Sequence, residues 1–226
     1  MRLRAPWNSV IRCLEVRWEV ETLMDHQANL KTYAQGIREV SEKLPWDSIT
    51  RTVEVLWRCC RDGKKIMTMG NGGHSNTAAH MINDLAKHTV TCDDKTAVVA
   101  EGVRFHTMCL NDSVSFLTGI GNDMGYEHVF SEQVANWVEP GDVVIGISGS
   151  GNSKNILAAF EEAKKRGATT VCYSGFEGGK ARAVADINII VPCHKMVQVE
   201  DFHLMINHMI ADELKRLVQG RQDIKG

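Results

Sequence analysis

Residues 142–153 read DVVIGISGSGNS, an apolar run that ends in a loop of glycine and serine. The run from Asp142 to Ile147 is almost entirely apolar and β-branched, which predicts a strand buried on both faces of a parallel sheet. The loop that follows contains Ser148, Ser150 and Ser153 but no lysine, and helical periodicity begins directly after it. Open α/β sheets bind ligands at such turns, beyond the carboxyl ends of their strands.

A second loop of the same kind lies earlier in the chain. Residues 70–75 read GNGGHS, after a strand predicted at residues 65–69 and before a helix predicted from Asn76 to Lys87. A helix N-terminus offers unpaired N–H groups and a positive dipole, to which serine and asparagine add neutral donors. Neither loop matches GxxxxGK[ST] or GxGxxG, which disfavours nucleoside triphosphates and dinucleotides. The pair is typical of a site for one phosphate group, although each loop alone is also compatible with an ordinary N-capped turn.

Strands and helices alternate through the rest of the chain. Two helical segments precede the first strand, at Leu30–Val40 and Trp46–Cys60. The remaining patterns predict strands at residues 104–110, 169–173 and 187–191, and helices at residues 128–137, 153–166, after Gly178-Gly179, and at 199–218. This alternation predicts βαβ units and a parallel sheet covered by helices on both faces.

Composition and charge exclude several classes of protein. The 226 residues carry 26 Lys+Arg and 28 Asp+Glu, a net charge of −2, which argues against a nucleic-acid-binding protein. No apolar run is long enough for a membrane span, and charged residues interrupt the N-terminus too early for a secretory signal. The seven cysteines are odd in number and form no CxxC pair, which predicts free thiols rather than disulfides or a thiolate zinc site. We therefore expect a cytoplasmic protein that contacts neither nucleic acid nor membrane.

A set of carboxylates and imidazoles lies on two predicted helices. His80 and Asp84 are one turn apart on one helix face, and Glu200 and His208 are eight residues apart, about 80° round the last helix. If all four face one cavity, they have the donor types that bind a zinc-like ion, and equally those of a general acid and a general base. Solvated or packed side chains are the alternative. His203 and His106 have no equally good partner, and we expect them either to pack or to support the site from behind its ligands.

Four motifs together resemble the sugar isomerase (SIS) family. They are GNGG at residues 70–73, GISGSGNS at 146–153, GNDMGYEHVF at 121–130 and SGFEGGK at 174–180. The similarity extends over residues 30–218 and is greatest to the phosphoheptose isomerases. It implies a three-layer, flavodoxin-like fold with a five-stranded parallel sheet, preceded by a helical extension at residues 1–29 and followed by a tail at 219–226. It also implies a homotetramer with active sites between subunits.

The resemblance implies an enzyme of the intramolecular oxidoreductase class. Members of the group convert sedoheptulose 7-phosphate to a glycero-manno-heptose 7-phosphate through an enediol, the first step of nucleotide-activated heptose synthesis. Two alternatives stay open: an isomerase of another phosphosugar, and a non-catalytic SIS protein that binds a phosphosugar or a partner protein.

The resemblance also implies roles for individual residues. Asp84 is expected to be the base and His208 the acid, and one Zn²⁺ per subunit is expected on His80, Asp84, Glu200 and His208. The expected substrate-binding residues are Asn71, Gly72, Gly73, Ser75, Asn122, Asp123, Ser148, Gly149, Ser150, Ser153 and Glu200.

Five positions depart from the family pattern. His74 stands where the first loop usually has its serine, which is displaced to position 75, and Gly149 stands where many members carry threonine. Asp84 replaces a glutamate and Ser113 replaces an aspartate. Glu200 replaces a glutamine, and its added charge is expected to strengthen the binding of a divalent cation.

Overall fold

The computed structural model describes residues 26–90 and 103–220, in which helices and strands alternate. The helices are α1 (His26–Ser41), α2 (Trp46–Arg61), α3 (Gly73–Lys87), α4 (Val114–Asp123), α5 (Ser131–Trp137), α6 (Lys154–Lys165), α7 (Ala181–Val184) and α8 (Met196–Gly220). The strands are β1 (Lys65–Gly70), β2 (His106–Cys109), β3 (Val143–Ile147), β4 (Thr169–Ser174) and β5 (Ile187–Ile190). Short 3₁₀ turns occupy His88–Val90 and Tyr126–His128.

The five strands form one parallel sheet in the order β2-β1-β3-β4-β5. The predicted α/β architecture is therefore confirmed. The chain moves outward from β1 to β2 and then returns to place β3 on the other side of β1. This reversal of strand order makes the carboxyl ends of β1 and β3 the point where an open sheet of this kind forms a ligand crevice.

Helices cover both faces of the sheet. Side chains alternate along β1, so Thr68 faces α3 and donates its hydroxyl hydrogen to the Ala78 carbonyl, at 2.9 Å. Met67 faces the opposite layer, where it shares a buried core with Phe130 and with Phe160 of α6. On the α3 side, α3 and α2 both pack against α8. The sheet is thus the middle of three layers.

Close packing between β3 and α6 fixes the start of α6. All five residues of β3 are buried. A Cβ placed on Gly146 would lie 2.6 Å from the Phe160 ring and 2.7 Å from Ile156, so only glycine allows α6 this close to the strand. Because this contact joins β3 to α6, it fixes the distance between the two ends of the loop that connects them.

The ends of the predicted SIS domain lie within helices. The expected boundary between residues 29 and 30 falls inside α1, in which no residue is buried, while the chain divides into compact units between Arg38 and Glu39. At the other end, α8 continues past the expected limit of residue 218 to Gly220. Residues 1–25 and 221–226, which include most of the predicted extension and tail, lie outside the described residues.

Several elements differ from the sequence prediction. Helix α4 was not predicted at all, and the helix expected at residues 128–137 is a 3₁₀ turn followed by α5. Helix α3 begins at Gly73, three residues earlier than expected. Within the described residues, no helix is both long and apolar enough to cross a membrane. Five cysteines fall in this part of the chain, where all five are buried and none forms a disulfide, whereas Cys13 and Cys92 lie outside it.

Candidate active site

The first loop (residues 70–75) and the second loop (residues 148–153) meet at the neighbouring ends of β1 and β3. The side-chain amides of Asn71 and Asn155 exchange two hydrogen bonds, of 3.0 and 2.9 Å, across 84 residues of sequence. The Tyr126 hydroxyl also donates to Asn71 Oδ1, at 2.9 Å. The Asn111 side chain fixes the start of the first loop through two hydrogen bonds to the Gly70 backbone. Asn71 therefore occupies a defined position beside the second loop.

The second loop brings its three serines to the start of α6. The Ser148 hydroxyl donates to Ser153 Oγ at 3.0 Å, and the Asn152 N–H donates to Ser150 Oγ at 3.2 Å. Ser153 is the N-cap residue of α6, yet its side chain makes no capping hydrogen bond. A helix start that keeps free N–H donors beside hydroxyl groups is suited to a phosphate.

A turn after β4 supports the second loop from behind. The Gly175 N–H donates to the Gly149 carbonyl at 2.8 Å, and the Ala181 N–H donates to the Gly151 carbonyl at 2.9 Å. Gly151 has a φ of +64°, and a Cβ there would lie 2.0 Å from the Gly178 carbonyl oxygen. The backbone of the second loop is thus held in one conformation that requires glycine.

His74 and Met196 occupy the space beside Gly149. A Cβ on Gly149 would lie 3.0 Å from His74 Cε1 and 2.4 Å from the Met196 sulfur, so a larger residue there would require these side chains to shift. The His74 ring is 7% exposed. Burial lowers its pKa, an effect that the negative charge of Glu200 opposes. Burial therefore favours the neutral form of the His74 ring beside Gly149.

Three predicted substrate-binding residues have local hydrogen bonds instead of contacts with the second loop. The Ser75 hydroxyl donates to the Gly72 carbonyl at 2.7 Å, within its own loop. Asn122 and Asp123 are exposed at the end of α4, where the Asn122 amide donates to the Asp123 carboxylate at 2.8 Å. From this part of the chain, it is Tyr126 that reaches the first loop.

His80, Asp84 and His208 converge at one point between α3 and α8. The two Nε2 atoms lie 3.2 Å apart, and Asp84 Oδ2 lies 3.3 Å from His80 Nε2 and 3.7 Å from His208 Nε2. All three donor atoms lie within 4.8 Å of one another. The side chains of His80 and His208 are 43% and 52% exposed, whereas that of Asp84 is 14% exposed. The cluster is therefore open to a substrate on one side.

The cluster fits a divalent metal ion by its donor types. Zinc in catalytic sites takes three protein ligands, commonly imidazole nitrogens with a carboxylate oxygen, and keeps a further position open. Two imidazoles that face each other through Nε2, beside one carboxylate oxygen, supply such a set. The same three groups also form an acid–base set without a metal.

Glu200 lies apart from this cluster, at the beginning of α3. A Cβ on Gly73 would be 3.2 Å from its Oε2 atom. Helices α3 and α8 run side by side in the same direction, since the Asn207 amide donates to the Thr77 carbonyl at 3.0 Å and His208 meets His80. Glu200 and His208 are separated by eight residues, about 12 Å along the helix. The structure thus brings three of the four expected ligands together and places the fourth beside the first loop, where the helix dipole favours a carboxylate.

A cavity of about 410 Å³ continues from the cluster away from the two loops. Its lining includes Asp84, His208, His88 and Asp212, and the last two approach to 3.7 Å. Neither His88 nor Asp212 was predicted from the sequence as a site residue. His88 follows Asp84 by four residues and Asp212 follows His208 by four residues, so each lies on the same helix face as a predicted site residue. This spacing could have identified both.

The buried His203 belongs to the core, which corresponds to packing, one of the two roles expected for it. Its side chain is fully buried, and its Nε2 lies 3.2 Å from the Ser174 carbonyl oxygen. Burial lowers its pKa to about 3, so the ring is neutral in the folded protein at neutral pH.

Comparison with known proteins identifies the family. The SIS domain model matches residues 31–175. The phosphoheptose isomerase of Sulfurimonas denitrificans is 38% identical over 160 residues, which are 71% of this chain and 77% of that protein. The phosphoheptose isomerase of Nitratiruptor sp. is 39% identical over 148 residues, 66% of this chain and 74% of that protein. The structure of phosphoheptose isomerase GmhA from Neisseria gonorrhoeae superposes with a TM-score of 0.76 at 28% identity, covering 86% of this chain and all of that one. The chain therefore belongs to the SIS domain family, and within it to the phosphoheptose isomerases.

Proposed function

We propose that this protein is an aldose–ketose isomerase that converts sedoheptulose 7-phosphate to a glycero-manno-heptose 7-phosphate. Its similarity to phosphoheptose isomerases supports the reaction class. The observation that carries the proposal is the position of two features on one helix. The first loop stands at the start of α3, and His80 and Asp84 follow on the same helix, opposite His208.

The distance between these features suits a long, open phosphosugar. Seven residues separate Gly73 from His80, which corresponds to about 10 Å along the helix. An extended chain of seven carbons is long enough to span that distance, with its phosphate beside the two neighbouring loops and its other end at the cluster. Ser148, Ser150 and Ser153 supply neutral donors for the phosphate, and Asn71 supplies an amide on the sugar side of the loop.

Two groups of the cluster would carry out the proton transfers. Asp84 removes the proton from C1 of the ketose, while His208 donates a proton to the carbonyl oxygen at C2, which gives the enediol. Asp84 then returns its proton to C2, and His208 takes back the proton from the oxygen on C1, which becomes the aldehyde. Both imidazoles face Asp84 Oδ2, whereas Oδ1 accepts only a long hydrogen bond of 3.4 Å from the Asn83 amide, so Oδ1 is the oxygen proposed to reach the substrate carbon. General acid–base catalysis of this kind contributes about 10²–10⁴-fold to the rate.

We further propose that His80, Asp84 and His208 hold one zinc ion. Bound there, the ion would replace the His208 proton in polarising the substrate carbonyl, because a histidine nitrogen that binds zinc has no proton to donate, and it would stabilise the negative charge of the enediolate. Glu200 is 3.2 Å from a Cβ position on Gly73, at the opposite end of the site, and in this chain we assign it to the substrate side.

The proposal includes a homotetramer of a cytoplasmic enzyme, with residues 30–218 as the SIS domain. Helix α4 supports association, because none of its residues is buried although Val114 and Phe116 are apolar. These two side chains are 69% and 37% exposed in the single chain. Sedimentation analysis of the purified protein tests the tetramer directly.

The deciding experiment is incubation of the purified protein with sedoheptulose 7-phosphate in deuterated water. We expect an aldoheptose 7-phosphate as the product, with deuterium incorporated at C2. Ribulose 5-phosphate and fructose 6-phosphate serve as competing ketoses, and a preference for either would identify an isomerase of another phosphosugar. If the protein binds these compounds but exchanges no hydrogen with solvent, the isomerase proposal is wrong and the binding-protein alternative replaces it.

A further inference from the structure

The direction of every hydrogen bond around Asn71 follows from one backbone group. The Ile156 N–H, which can only donate, is shared between the Ser153 carbonyl oxygen, at 3.1 Å, and Asn155 Oδ1, at 3.0 Å. This contact identifies the oxygen of the Asn155 amide. Asn155 is 3% exposed, so its side chain has no alternative partner in water. Its orientation is thereby fixed.

Asn155 in turn fixes the amide of Asn71. Because Asn155 Oδ1 is an acceptor, it faces Asn71 Nδ2, at 3.0 Å, and Asn155 Nδ2 donates to Asn71 Oδ1, at 2.9 Å. Asn71 Oδ1 is also 2.9 Å from the Tyr126 hydroxyl. An amide oxygen only accepts, so the tyrosine must donate its proton. Asn71 Oδ1 then has both lone pairs occupied.

We propose that Tyr126 is a positioning residue for substrate binding, which leaves Asn71 with a single free N–H directed at an acceptor oxygen of the sugar. The amide nitrogen has two hydrogens, and Asn155 Oδ1 takes one of them. Tyr126 acts by occupying the second lone pair of Asn71 Oδ1 with its own hydroxyl hydrogen. A substrate hydroxyl therefore cannot donate to this oxygen and bind the sugar in a different orientation. This inference rests on the proposed isomerase function. It adds that Asn71 is the donor, and a sugar oxygen the acceptor, in the contact between them.

The surroundings of Tyr126 suit such a role. The residue follows Gly125, which has a φ of +102°, and it begins the 3₁₀ turn after α4. Its side chain is 59% exposed although its hydroxyl is hydrogen-bonded, so the ring reaches Asn71 from the solvent side. A side chain in that place is accessible to a bound sugar and contributes little to the core.

A double-mutant cycle with Tyr126→Phe and Asn71→Ala tests the proposal. With sedoheptulose 7-phosphate as substrate, we expect Tyr126→Phe to lower kcat/KM by about 5- to 10-fold, the effect of one neutral hydrogen bond. In the Asn71→Ala background the same change should have less than about a twofold effect, because its partner is gone. Competitive inhibition by inorganic phosphate should stay within about twofold throughout, since the second loop is unchanged. Thr118→Val, which removes a hydroxyl bonded only within α4, is the control expected to change nothing.

Three outcomes would overturn the inference. An undiminished effect of Tyr126→Phe in the Asn71→Ala background would mean that the tyrosine contacts the sugar itself. No effect of Tyr126→Phe on wild-type kcat/KM would mean that the hydrogen bond positions nothing. A parallel weakening of phosphate inhibition would indicate a general distortion of the loops. If the wild-type protein has no isomerase activity, the proposed function fails separately. The same cycle is then measured on urea unfolding, where coupling between the two residues supports the hydrogen bond and additivity refutes it.

Discussion

The imidazoles of His80 and His208 face each other with their Nε2 atoms 3.2 Å apart, although 128 residues separate them in the sequence. Their ring centroids lie 5.0 Å apart at an angle of 66°. Two imidazoles at this Nε2 distance share either one proton or one metal ion. Since α3 and α8 run in the same direction, this contact also sets which residues meet along the rest of both helices.

The first prediction concerns the acid–base pair. Asp84→Asn and His208→Asn should each lower kcat by about 10²–10⁴-fold while phosphosugar binding persists, because each change removes a titrating group and leaves the second loop intact. Steady-state kinetics and calorimetric binding of sedoheptulose 7-phosphate measure the two effects. Asp62→Asn, at the exposed end of α2, is the matched control. Normal turnover and normal hydrogen exchange in Asp84→Asn would assign the base to another group, with Glu200 as the next to examine.

The second prediction concerns the phosphate. The double variant Ser150→Ala/Ser153→Ala should raise KM strongly and leave kcat within a few-fold, because two hydroxyl donors to a charged group are lost, each contributing about 1.5–3 kcal/mol. Inhibition by inorganic phosphate should weaken in parallel. Ser115→Ala, on exposed α4, is expected to behave as the wild type. An unchanged KM in the double variant would place the phosphate elsewhere.

The third prediction separates the metal ligands. His80→Asn and His208→Asn should lower the zinc content and the zinc affinity of the purified protein, whereas Glu200→Gln should change neither, because Glu200 lies at the start of α3. Elemental analysis and competition with a chromophoric chelator measure both quantities. A loss of zinc in Glu200→Gln would instead make Glu200 the fourth ligand. Zinc near zero in the wild type, with activity unaffected by chelator, would leave a metal-free acid–base pair.

The fourth prediction concerns stability against acid. The pKa of His203 is about 3 in the folded protein and near 6.5 in the unfolded chain. Between these values the unfolded state binds the additional proton, so the free energy of unfolding should fall as the pH decreases from 6.5 toward 3, by up to about 1.4 kcal/mol per pH unit. Urea unfolding at several pH values measures this slope. His203→Gln should flatten it, and an identical slope in that variant would assign the acid sensitivity to other groups.

The strands and both loops could be predicted from the sequence because their signals are local. The run from Asp142 to Ile147 is apolar throughout, and a buried parallel strand has that composition. Helix α4 escaped prediction because Gly119 and Gly121 lie within it and none of its residues is fully buried, although Leu117 and Ile120 pack against the core. Its one clear signal was Ser113, whose side chain accepts the Phe116 N–H as an N-cap.

The candidate site was predicted less completely because distance along a helix is easily confused with angle around it. Glu200 and His208 point to similar sides of α8, which suggested one shared cavity, but the rise between them leaves Glu200 outside the cluster that His80, Asp84 and His208 form. The contact of Tyr126 with Asn71 spans 55 residues and depends on a 3₁₀ turn. No periodicity in the sequence encodes such a contact.

Helix α3 places the first loop and the acid–base cluster a fixed number of turns apart. Under the proposed function, this fixed distance selects substrates by the length of their carbon chain. If the phosphate is held beside the two loops, as we propose, a phosphorylated triose is too short to span the distance from Gly73 to His80, so its carbonyl would not meet Asp84. The abundant short sugar phosphates of the cell would thus compete for the phosphate donors without being turned over. Discrimination against short sugar phosphates would then need no steric barrier, because the rigid backbone of α3 fixes the distance that a substrate must span.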